Sequence, residues 1–147
     1  MPPLTRNVIA LTTLENQSEQ GNAGEANIYP GMALQGTLTV IRHAVAGGDG
    51  PRNFALERQE MGQGINVPYA TGDRIKVGSA YKGGRIYAWI PSGANVAAEA
   101  FLTSNGDGTL KVAGGTDAKW GKALEPNNNT AGGTGPGGIS RIRIEVM

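Results

Sequence analysis

The side chains that do chemistry in proteins are sparse in this sequence, and their spacing does not suit catalysis. There is one histidine, His43, and no cysteine. That excludes a histidine-based triad, a multi-histidine zinc site, a thiolate metal site and a disulfide framework. His43 ends an alternating stretch and reads as structural. The segment Gly115-Thr116-Asp117-Ala118-Lys119-Trp120-Gly121-Lys122-Ala123 ends like a phosphate-binding loop, but its spacing is wrong and Ala123 stands where the metal-binding hydroxyl belongs. Gly62-Gln63-Gly64 opens like a dinucleotide fingerprint, yet a third glycine and a following helix are missing, so the phosphates have no helix N-terminus to sit on. Asn105-Gly106-Asp107-Gly108 lacks the further oxygen ligands and closing glutamate of an EF-hand. Glu57, Glu60, Asp73 and Glu99 have no spacing that recommends a paired-carboxylate glycosidase. The sequence therefore predicts no catalytic residue, no cofactor, no metal and no small-molecule substrate.

What remains is the chemistry of contact. Thirteen Lys and Arg against twelve Asp and Glu leave a formal charge of +1, scattered along the chain, which argues against nucleic acid or an anionic membrane as the main partner. The first residues read as no signal peptide, and no apolar run reaches the length of a membrane span. The aromatic residues Tyr81, Tyr87 and Trp89 lie close to Lys82 and Arg85. On a strand, Tyr87 and Trp89 share one face while Ile86, Ala88 and Ile90 share the other. The pair is a candidate surface platform for a sugar ring or a partner protein; the other reading is a core face.

These residues need elements to hold them, and the elements read as strands. Glycine is the strongest compositional signal, with 24 copies beside 8 prolines. Most of the glycines punctuate short apolar runs, as a domain of many tight turns requires. Helix periodicity is nearly missing; 94–101 reads as a helical turn or a strand approach. Strands are expected at 7–12, 34–43, 54–57, 74–77, 85–90, 101–104, 110–112 and 122–125. A spacing near ten residues points to a sandwich or barrel. The Asn-Gly and Asp-Gly pairs at 105–108 predict a tight turn. At the C-terminus Ile142, Ile144 and Val146 alternate with Arg141, Arg143 and Glu145, so this strand should face the core on one side. The segment 15–27 is polar and aperiodic, and reads as a connector. The stretch 127–138, rich in Asn and Gly, is expected to be an exposed loop. The expected fold is all-β: a small β-sandwich or barrel-like domain over 31–147, preceded over 1–30 by an extended N-terminal arm and connector.

Read in order, several segments resemble the capsid decoration, or head cement, proteins of tailed double-stranded DNA bacteriophages. They are Asn7-Val8-Ile9-Ala10-Leu11-Thr12, Pro30-Gly31-Met32, Phe54-Ala55-Leu56-Glu57, Gly62-Gln63-Gly64-Ile65 and Tyr69-Ala70-Thr71-Gly72-Asp73-Arg74-Ile75. The series continues in Gly106-Asp107-Gly108-Thr109-Leu110, Gly121-Lys122-Ala123-Leu124-Glu125 and Ile142-Arg143-Ile144-Glu145-Val146. The resemblance implies a compact β domain, often a homotrimer, that is made in the host cytoplasm. On the outer surface of the virion it would bind the major capsid protein and clamp neighbouring subunits without catalysis. The chain departs from the family pattern at 127–138, which is longer than the usual connection before the last strand. An arm with free backbone groups can add a strand to a neighbour's sheet edge. Leu4, Arg6, Val8, Ile9 and Leu11 are the candidate contacts. A surface carbohydrate-binding or adhesion module using Tyr87 and Trp89 is the alternative.

Overall fold

The computed structural model describes residues 8–12, 14, 16–58 and 61–147. They form an all-β fold with a nearly closed, barrel-like sheet. The strands are β1 (Asn16–Ala23), β2 (Leu34–Gln35), β3 (Thr39–Arg42), β4 (Asn53–Ala55), β5 (Arg74–Ser79) and β6 (Arg85–Ile90). They continue as β7 (Asn95–Val96), β8 (Phe101–Ser104), β9 (Leu110–Val112), β10 (Gly121–Ala123), β11 (Asn127–Asn128) and β12 (Ser140–Val146).

The first sheet has the order β2-β3-β1-β5-β4. A bridge between Ala33 and Phe54, with the Ala55 N–H donating to Met32 O at 3.0 Å, joins its two ends and closes it on itself. Inside lie Ala23, Ile28, Leu34, Val40, Ala55, Tyr69 and Ile75. The second sheet runs β6-β12-β10-β8-β9, curled so that β9 approaches β6. Its inner face carries Ile86, Ala88, Ile90, Leu102, Leu110, Ala123, Ile142, Ile144 and Val146, packed around the fully buried Trp120. A short third pairing joins β7 to β11.

The two cores share β4. Side chains alternate across a strand, so Phe54 enters the second core, edge-on to Trp120 at 6.1 Å between ring centroids, while Ala55 enters the barrel. Ala33 and Leu34 divide between the two cores in the same way.

Three expectations need correcting. The segment 15–27 is no connector: β1 lies within it, paired parallel to β3 and antiparallel to β5, so a boundary at residue 30 does not separate arm from domain. The described inward positions of β1 are Gly21 and Ala23, and at Gly21 β3 lies too close to admit a side chain. A Cβ on Gly21 would overlap Val40 Cγ2 and stand 2.7 Å from Thr37 O. The stretch 34–43 is two strands, turned at 36–38 where Gly36 takes φ +93°, a left-handed conformation that glycine reaches without strain. The stretch 127–138 is not simply a loop. Asn127 and Asn128 form β11, and the buried Asn129 amide donates to Pro91 O at 3.0 Å and Gly138 O at 2.9 Å. Within 94–101 the strand reading holds for β7, which ends before a turn containing Glu99.

Candidate functional site

The arm comes first because most of the partner-binding candidates fall on it. Leu4 and Arg6 lie outside the described residues. Ile9 is fully buried in the second core. Its carbonyl accepts the Tyr87 N–H at 2.8 Å and its own N–H donates to Glu57 Oε2 at 3.3 Å. Ala10 bridges Ile86, the Leu11 N–H donates to Arg85 O at 3.0 Å, and the Arg85 N–H donates to Thr12 Oγ1 at 2.9 Å. Residues 9–12 thus pair along the edge of the chain's own β6 through an isolated bridge and these hydrogen bonds. The donor–acceptor chemistry expected of the arm is present, but in this segment it is spent within the molecule. Ile9 is therefore a core residue and Leu11 a half-buried edge residue. Val8, 38% exposed, is the arm candidate that faces solvent.

The aromatic pair stands on the outer face of the second sheet. β6 and β12 pair in the register Trp89↔Arg141, Tyr87↔Arg143 and Arg85↔Glu145. The Arg141 guanidinium lies over the Trp89 ring at 3.9 Å and the Tyr87 ring at 5.3 Å. It donates to Ile65 O, to Tyr87 O at 3.2 Å and to Asn66 Oδ1 at 3.3 Å, pinning the loop around 65–66 across the sheet. Burial lowers the Arg141 pKa to about 10, against the pull of Tyr87 and Glu57. Arg141 Nε is buried without a partner. Trp89 is 3% exposed and its indole N–H donates to Pro30 O at 2.9 Å. The expected surface platform is therefore capped, and a sugar could stack on Trp89 only by displacing Arg141.

A second polar cluster gave no signal in the sequence because its members are far apart along it. The Arg52 guanidinium sits 4.6 Å over Trp120. It donates to Met147 O at 2.9 Å, Asp49 Oδ1 at 2.7 Å, Lys119 O at 2.9 Å and Gly50 O. The same guanidinium holds the Asp49 carboxyl below the usual carboxylate range. His43 lies edge-on to Trp120 at 4.9 Å between ring centroids, and its Nε2 faces Asp49 O at 3.2 Å and therefore carries a proton. In the neutral ring Nδ1 then accepts from the Ser104 hydroxyl at 2.6 Å. The partner of His43 is a backbone carbonyl and not the Asp49 carboxylate, so this is a loop fastening and not a triad. A hollow of about 490 Å³ opens beside Arg52, whose guanidinium is already bonded to the protein.

The carboxylates considered for catalysis are engaged separately. Glu57 anchors Ile9, Asp73 Oδ2 accepts the Ala70 N–H at 2.8 Å and Glu99 occupies a turn at φ +66°; Glu60 lies outside the described residues. Among the described residues no group of three or more acidic or histidine side chains is placed to hold a metal. A scan against models of known protein families matches none of them, and a search of curated proteins finds no match.

Proposed function

We propose that this protein is a virion structural protein that binds the outer surface of a phage capsid, as a homotrimer, and stabilises contacts between major capsid subunits. The reading begins from the ordered set of segments resembling head cement proteins. The observation in the fold that favours it is the position of the exposed large apolar side chains. Val8, Leu38, Val45, Met61, Val67 and Tyr81 lie in connections, while Phe101 and Val112 lie at strand ends. Leu38 is 79% exposed at the β2–β3 turn and Met61 is 69% exposed. A single exposed apolar residue is ordinary. Apolar knobs at the corners of a framework closed by its own hydrogen bonds suit a protein that touches several neighbours at once without a deep pocket. Many copies on a lattice then multiply weak contacts into a strong hold.

The test is to mix purified protein with expanded capsids that lack it and count bound copies per shell, with light scattering of the free protein. The reading expects a fixed number matched to the lattice symmetry and a trimer in solution. It expects Leu38→Asp to bind more weakly while melting at the same temperature. Wild-type protein that stays unbound at every shell concentration would overturn it.

A further inference from the structure

At one end of the second sheet's outer face lies a hollow of about 270 Å³, lined by Lys82, Phe101, Lys122, Glu145, Val146 and Met147. Its placement follows from strand register. Glu145 pairs with Arg85 on one side and with Lys122 on the other, and Lys122 pairs in turn with Phe101. A single row therefore runs Arg85, Glu145, Lys122, Phe101 across four strands, all on one face because directly opposed residues share a face. Phe101 is 41% exposed although it is flanked by core strands, and the Lys119 ammonium stands 4.5 Å from its ring centroid. Lys82 reaches the same hollow from the turn before β6, held by the Gly83 N–H donating to Val146 O at 2.7 Å.

Two lysines, Lys82 and Lys122, line the hollow, with Lys119 over the Phe101 ring and Arg85 at the end of the row, and the one acidic side chain, Glu145, already lies between Arg85 and Lys122 in the register. In a chain whose formal charge is only +1 this is a local excess. Long lysine stems cover apolar surface while their heads stay in water, so the rim can close over an inserted side chain and still present its charge. From the apolar lining and lysine rim we infer that this hollow receives an acidic segment of the capsid subunit: one apolar side chain against Phe101 and Met147, with adjacent carboxylates meeting Lys82 and Lys122. A basic or purely apolar segment fits less well, since the first meets like charge and the second leaves the rim unused. The inference rests on the capsid-binding reading and names the chemistry of the partner.

Two measurements separate the two claims. In the first, amide chemical shifts of the protein are followed during titration with the peptide acetyl-Leu-Glu-Glu-amide and, in parallel, acetyl-Leu-Lys-Lys-amide. Saturable shifts at Gly83, Phe101, Lys122 and Val146 are expected with the acidic peptide alone, and a Lys82→Glu/Lys122→Glu variant should reverse the preference. Equal shifts with both peptides, or none with the acidic one, would overturn the inference. In the second, the same variant is mixed with expanded capsids. A loss of at least tenfold in affinity, with unchanged melting temperature, supports the hollow as a capsid contact. If wild type and variant decorate shells equally, the hollow is not the contact although the capsid reading stands. If wild type fails to decorate, the capsid reading fails whatever the peptides do.

Discussion

At the scale of single residues, Arg141 and Gly21 show how much of the fold rests on groups that a sequence scan passes over. Arg141 stands in an alternating strand where an outward arginine is expected, and alternation correctly places it outside the core. Nothing local reveals that it will stack on Trp89 and reach Ile65, 76 positions away. Its replacement by lysine removes the planar fork that both stacks and donates. Arg141→Lys is expected to cost about 1–3 kcal/mol, because Ile65 O loses a charged donor and the ring contact weakens. Thermal unfolding gives the magnitude, and faster proteolysis within 61–67 would locate the effect. Gly21→Ala is expected to destabilise by about 1–3 kcal/mol through overlap with Val40 and the Thr37 carbonyl. Gly64→Ala, whose new Cβ would have only Val67 within reach at 4.0 Å, should stay within about 0.5 kcal/mol of wild type. Denaturant unfolding of the two variants side by side checks the contrast.

At the scale of elements, strands with an apolar face were legible and strands without one were not. β12, β6, β8 and β9 emerge from alternation or β-branched runs, and the Asn-Gly-Asp-Gly turn closes β8 onto β9 with the Asn105 N–H donating to Thr109 O at 2.9 Å. β1 escaped detection because its described inward positions are Gly21 and Ala23; backbone pairing on both sides holds it, and a hydropathy pattern carries no trace of such pairing. Residues 9–12 of the arm pair with the chain's own β6, which the sequence does not reveal, since it does not say whose edge an extended segment will join. Ile9→Ala is accordingly expected to cost about 2–5 kcal/mol as a core cavity, whereas Val8→Ala should be near neutral. Hydrogen exchange at the Tyr87 amide, which donates to Ile9 O, should quicken in Ile9→Ala.

The turn after β1 carries its own pH dependence. Glu25 accepts from the Arg42 N–H at 2.8 Å and from its guanidinium at 3.0 and 3.2 Å, and the guanidinium holds the Glu25 carboxyl below its ordinary value. A folded-state pKa below the unfolded one stabilises fully above the usual glutamate value of about 4.3, and the gain is lost as pH falls through the lowered value. The pair is about one-third exposed, so its contribution is at most about 1 kcal/mol. Between pH 5 and pH 3 the melting temperature of wild type should fall further than that of Glu25→Gln.

At the scale of the whole molecule, the all-β class was legible from glycine-punctuated short runs. The joining of two cores through β4 was not, because it depends on the long-range closure between Ala33 and Phe54. The candidate site was legible only in part. Tyr87 and Trp89 do share a face as alternation required, but that face is covered. The cation-ringed hollow is assembled from a turn and three strands whose spacing along the chain means nothing until the register is known. Exposed apolar side chains at the corners and a lysine-edged hollow on the second sheet are the features on which the proposed role rests. The proposed role is mechanical, and it is tested by the temperature at which DNA-filled capsids release their DNA, with and without a full complement of this protein. The account predicts a higher release temperature for decorated shells, and a smaller rise for shells decorated to the same level with the Leu38→Asp variant. Release at the same temperature from bare and fully decorated shells would contradict it.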